Sequence, residues 1–134
     1  MLLNEVKVFQ FHLSDDARDH LNSVGWDGDF TPFPEILITR DVFGMGGSER
    51  FEPWMAKHYV EVAEVTGAND LEDVFMAGQL GMPNPEGVEI NFYPGRMHSV
   101  SVGDIVQCTE TNTFFMVDRE GFTELFNFTF EKVA

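Results

Sequence analysis

Basic residues are scarce in this chain. Lys and Arg number 8 against 23 Asp and Glu, a formal net charge of −15 at pH 7 with histidine neutral. That shortage argues against direct binding of nucleic acid or an anionic membrane, because phosphate binding depends on cationic side chains that release counterions. The same imbalance favours attraction to basic surfaces, including those that other proteins use to hold nucleic acid. The plainer alternative is that the acidity only keeps the chain soluble. Cysteine is nearly absent: Cys108 stands alone, so no internal disulfide forms, and a reducing compartment, the cytoplasm, is expected. No apolar run approaches the roughly 20 residues of a bilayer-spanning helix. The first residues, MLLNEVKVFQF, lack a basic segment and alternate like a strand, so a signal peptide is not expected. Tyrosine is rare beside phenylalanine, 2 against 14, which makes the aromatic groups packing material more than hydrogen-bonding interface. Internal repeats, linkers and low-complexity tracts are also missing, and 134 residues read as a single domain, 1–134, with room for a hydrophobic core.

What is present alternates between strand and helix patterns. Residues 5–13 (EVKVFQFHL) read as a first strand with Phe9, Phe11 and Leu13 on one face. Ser14 followed by Asp15 and Asp16 is an N-cap with acids in the first helical turn; Ala17, Leu21 and Val24 form a stripe, and Gly25 ends the helix. Residues 35–42 (EILITRDV) predict a second strand, and Gly44 to Ser48 a flexible loop. Residues 57–65 (KHYVEVAEV) predict a third strand, extended backwards by Trp54 and Met55, with Tyr59, Glu61, Ala63 and Val65 on one face. Asn69 and Glu72 form a capping box that opens a short helix from Asp70 to about Gln79, and residues 88–93 add a brief strand. The stretch 96–125 organises the remainder. Ile105 to Cys108 and Thr113 to Val117 make a hairpin, Asp118 to Gly121 turns the chain, and residues 122–130 continue with Phe126, Phe128 and Phe130 alternating against polar neighbours. The expected fold is α+β: a mainly antiparallel sheet with a C-terminal β-meander and two short helices packed on it or at its ends.

Few chemical motifs survive scrutiny. Gly44-Met45-Gly46-Gly47-Ser48 is glycine-rich, but no lysine follows at phosphate-loop spacing. His98, Ser99, Ser101 and Asp104 hold the residue types of a hydrolytic triad, yet sequence neighbours rarely converge and no Gly-x-Ser-x-Gly turn is present. A local role is expected instead, with a serine bonding the backbone and Asp104 capping the turn. His12, His20, His58 and His98 are too dispersed for a metal motif. Asp15, Asp16, Asp19, Asp27 and Asp29 miss the spacing of a calcium loop. Cys108, within a β-run, is expected to be a buried, inert thiol. Catalytic residues, metals and cofactors are therefore not expected. Between His58 and Gly95 the acids Glu61, Glu64, Asp70, Glu72, Asp73, Glu86 and Glu89 meet no lysine or arginine, which makes this segment the candidate partner-binding face. Arg96, His98, Ser99, Ser101 and Asp104 form the candidate turn or ligand pocket, with Arg96 a possible receiver of carboxylate or phosphate.

The order of several short pieces resembles the YodL-like domain. These are Leu71-Glu72-Asp73-Val74-Phe75, then residues 94–106 (PGRMHSVSVGDIV), then Phe115-Met116-Val117-Asp118, then Gly121-Phe122. The resemblance covers roughly the C-terminal half. It implies a protein of a phage or other mobile element, with no established reaction to carry over to any residue. Together with the charge, it leads to the expectation of a non-enzymatic accessory protein in the host cytoplasm that binds a host protein with a basic surface, such as a nucleic-acid-binding or defence protein. The alternatives are a small enzyme or ligand-binding domain with a pocket near Arg96, His98 and Asp104, or a self-assembling component.

Overall fold

Strand β1, Glu5–Phe11, forms from the alternation at the start of the chain and lies in the interior of the sheet. The structure is a computed structural model that describes residues 3–95 and 97–126. Its frame is a six-stranded sheet in the order β3-β2-β1-β4-β5-β6, with β2 Tyr59–Thr66, β3 Glu89–Phe92, β4 Ile105–Cys108, β5 Thr113–Asp118 and β6 Gly121–Leu125. Every neighbouring pair is antiparallel. The α+β class is as expected, and β4, β5 and β6 are the C-terminal meander. Strand β6 stops at Leu125; Phe126 is 76% exposed rather than packed, while Phe128 and Phe130 lie outside the described residues.

Both faces of the sheet are buried. On one, Val6, Val8, Val65, Val106, Cys108 and Val117 pack under Val74 and Ala77 of α2, Leu71–Ala77. On the other, Phe9, Phe11, Tyr59, Ile105, Phe114 and Met116 pack under Ile38, Val42 and Met55. Two-sided burial explains why β4 and β5 read as nearly continuous apolar runs. Helix α1, Asp15–Val24, forms as predicted: the Ser14 hydroxyl accepts from the Ala17 N–H at 3.1 Å, and Gly25 at φ 74° ends it. Ala17 packs with Phe30 and Ile36 in a satellite cluster, whereas Val24 is exposed.

The second predicted strand is the main correction. Ile38–Gly46 is a π-helix, followed by a tight helical turn Gly47–Arg50 and a 3-10 helix Pro53–His58. The β-branched residues that suggested a strand serve helical packing instead, because Ile38 and Val42, four apart, both reach the core. The glycine-rich stretch is thus helical, not a loop, and Trp54 and Met55 do not extend β2. A second correction concerns β2 itself. Val8 faces Ala63 but Phe9 faces Glu61, so Val62 is an inserted residue. This bulge reverses the alternation: Tyr59 packs with Phe9 and Phe11, while Ala63 and Val65 pack on the opposite face. A third is one residue of register at α2, where Asp70 rather than Asn69 is the N-cap.

Candidate functional site

The turn leading into β4 is built around a buried carboxyl. Asp104 is fully buried, and its Oδ2 accepts from the Ser101 N–H at 2.9 Å and from Gln10 Nε2 at 3.1 Å. Gln10, also fully buried, ties the loop to β1: its Nε2 donates to the His98 carbonyl at 2.8 Å, and its Oε1 accepts from the His98 N–H at 3.2 Å. Burial raises the Asp104 pKa to about 8, against the lowering effect of the Ser101 and Gln10 hydrogen bonds. Burial thus favours the protonated form of this acid well above the usual carboxylate range. Its Oδ1 is buried without a hydrogen-bond partner. Close by, the Tyr59 hydroxyl donates to the Gly103 carbonyl at 2.7 Å; burial first, and Asp104 second, push that phenol far up.

The triad types do not converge. Ser99 Oγ accepts from the Leu80 N–H at 3.0 Å, joining the loop to the end of α2 rather than to Asp104. His98 Nδ1 donates to the Ser99 carbonyl at 2.8 Å and lies 3.8 Å from Asp104 Oδ2. Ser101 contributes its backbone N–H to Asp104, so the carboxyl closes a four-residue turn, Ser101 to Asp104. The His98 ring meets His12 edge-on, with centroids 4.9 Å apart. A cleft of about 190 Å³ adjoins this pair, lined by His12, Glu61, Tyr93 and Gly95 among others. Arg96 lies outside the described residues.

The candidate acids do not form one face. Pairing across the sheet puts Glu61 opposite Phe9, Glu64 opposite Lys7 and Asn91, and Glu89 opposite Thr66, all on the side of Phe9. Lys7 Nζ is 3.4 Å from Glu61, and Tyr93 donates to Glu64 at 3.2 Å. Tyr93 is pushed well up, by desolvation first and then by Glu61 and Glu64. Asp70, Glu72 and Asp73 belong instead to the start of α2, on the other side of the sheet. Asp70 accepts from the Asp73 N–H at 2.9 Å and Asp73 from the Asn69 N–H at 3.0 Å, so both are capping residues. Glu86 is exposed in the loop before β3.

Other candidates resolve into packing. His58 lies against Phe11 and Trp54, and desolvation lowers its pKa. Cys108 is buried, which raises its thiol pKa. Asp29 accepts from the Thr31 N–H at 2.9 Å, a local turn bond. Among the described residues no group of three His, Cys, Asp or Glu side chains is arranged to hold a metal. No helix among them is long and apolar enough to cross a membrane.

Sequence reading missed two features. Gln10 is one, although a lone amide between Phe9 and Phe11 in a strand buried on both faces is a readable signal. The other is that the glycine-rich turn does cradle an anion, an internal one. Asp118 accepts from the Ser48 N–H at 3.0 Å, from the Ser48 hydroxyl at 2.7 Å and from the Thr123 hydroxyl. The comparisons with known proteins returned no match to a protein-family model, a curated protein or a solved structure.

Proposed function

We propose that this chain is a non-enzymatic accessory protein of a phage or mobile element, related to the YodL-like domain, that binds a basic surface of a host protein. The observation that carries this reading is uncompensated charge at the surface. Among the described residues, Glu61 alone of the candidate acids has a lysine or arginine within ion-pair distance, Lys7 at 3.4 Å. Phe9, Phe11, Phe30 and Phe114 are spent inside the core, while Trp26, Phe92 and Phe126 are exposed alongside the carboxylates. A partner whose groove normally holds nucleic acid offers the matching charge. Steering by opposite charge speeds association and makes it sensitive to salt.

The test is capture of host proteins by the immobilised chain at low and high salt. Basic nucleic-acid-binding proteins retained at low salt and lost at high salt are the expected result; retention indifferent to salt would count against charge mimicry. Because the acids occupy two sides of the sheet, Glu61 and Glu64 should be reversed to lysine separately from Glu72. The side that matters is the one whose reversal abolishes capture.

A second reading, a small ligand-binding domain or enzyme, draws on the buried Asp104 with its unpartnered Oδ1 next to His98. A small cleft lies nearby, lined by Tyr93 and by His12, whose ring meets His98 edge-on. Saturable thermal stabilisation by a small molecule, lost in His12→Ala, would favour it.

A further inference from the structure

Helix α2 is too short to cover its side of the sheet. It covers the Val6 side with Val74 and Ala77 but leaves a shallow groove of about 470 Å³ at its first turn. The lining includes Leu71, Cys108, Phe115 and Phe122, with Asp70 and Glu72 at the edge. Register adds a further carboxylate, since Glu124 is opposite Phe115 on the same face. No lysine or arginine is among the lining residues, all of them described. An apolar surface edged by unneutralised carboxylates selects its occupant by chemistry. A wholly apolar segment would leave the carboxylates desolvated and unpaired, and a wholly cationic one would leave the phenylalanines unused.

We infer that this groove is where the partner docks, by a short segment carrying one apolar anchor side chain flanked by lysine or arginine. The inference rests on the proposed reading of the chain as a binder of basic proteins and deepens it. The anchor seats against Phe115 and Phe122 while its cationic neighbours meet Glu72 and Glu124. Charge then guides the approach and the apolar contact selects the segment.

The test is a titration of the full chain, followed by the NMR shifts of its backbone amides, with three short synthetic peptides. One has a leucine flanked by lysines, one replaces that leucine with serine, and one replaces the lysines with glutamates. Expected is saturable perturbation at Leu71, Cys108, Phe115 and Phe122 by the first peptide. Affinity should fall about tenfold or more for the serine peptide, the worth of one buried apolar side chain, and no binding is expected for the glutamate peptide. The double variant Glu72→Lys, Glu124→Lys should weaken the first peptide by a similar factor while still unfolding in a single cooperative transition. Equal binding of leucine and serine peptides overturns the inference. Perturbation centred on Glu61 and Glu64 overturns it too but leaves the broader reading standing. Absence of binding by either lysine peptide at any site sinks both. A concentration-dependent rise in molecular mass, with the groove amides shifting and no peptide present, assigns the groove to a second copy and also overturns it.

Discussion

At the scale of single residues, two carboxyls make opposite contributions to stability. Asp104 has a native pKa raised to about 8 by burial, whereas in the unfolded chain it titrates near the ordinary carboxylate value. Between those values the unfolded state binds fewer protons than the native one, so stability falls as pH rises from about 4 to about 8, at up to about 1.4 kcal/mol per pH unit. In Asp104→Asn, a permanently neutral amide that still accepts from Ser101 and Gln10, this slope should flatten. Urea unfolding at several pH values measures it, and an unchanged slope would show that Asp104 is ionised in the fold. Asp118 behaves the other way. Partial burial raises its pKa, but the Thr123 and Ser48 hydrogen bonds together outweigh that and leave it lowered. Its contribution is present above the ordinary carboxylate pKa and is lost as pH falls through the lower native value. Asp118→Asn should therefore be destabilised by roughly 1–3 kcal/mol at neutral pH, with a smaller further loss in acid than the parent. Acid titration of both proteins by circular dichroism tests it.

At the scale of elements, the helical segment from Ile38 to Arg50 is the part most dependent on distant contacts. Ile38 and Val42 seal the Phe9 side of the sheet, and Gly47 turns the chain at φ 55° against Asp118. A Cβ at Gly47 would sit 1.9 Å from Asp118 Oδ1, and its φ is one that side-chain-bearing residues rarely adopt. Gly47→Ala should cost about 1–3 kcal/mol. Ile38→Ala, which opens a cavity at a fully buried position, should cost about 2–5 kcal/mol. Denaturant midpoints for the two variants are the check. An Ile38→Ala loss well under 1 kcal/mol would mean that this segment is not packed on the sheet. Legibility in the sequence follows the range of the interactions. Helix α1 is readable because Ser14, Asp15 and Gly25 act on their own neighbours; residues 35–42 are not, because their β-branched composition is overruled by the sheet they cover. The bulge at Val62 is invisible for the same reason, since it exists only relative to β1.

At the scale of the whole molecule, charge is the governing property. A net charge of −15 on 134 residues opposes compaction by self-repulsion. Screening should therefore raise the melting temperature by several degrees between low and physiological ionic strength, as read by calorimetry. A melting temperature independent of salt would mean that the carboxylates are too far apart, or too well solvated, to interact. The candidate face fails to appear as a single surface because proximity in sequence between Glu61 and Glu89 says nothing about sides of a sheet. Strand β2 and helix α2 carry their acids to opposite sides. The turn at Asp104 was readable as a cluster of polar groups, but its depth was not: burial comes from β1 and Tyr59, which are remote in the chain.

The sequence alone determined the local and additive properties: the excess of negative charge, the lack of a second cysteine for an internal disulfide, the capped helix α1 and the C-terminal meander. Each depends on composition or on residues a few positions apart. Tertiary structure alone decided which carboxyl would have its pKa raised, which acids would share a side, and where an apolar groove would stay open. Those outcomes depend on desolvation and on the pairing of distant strands, and neither is a property of any short stretch of chain.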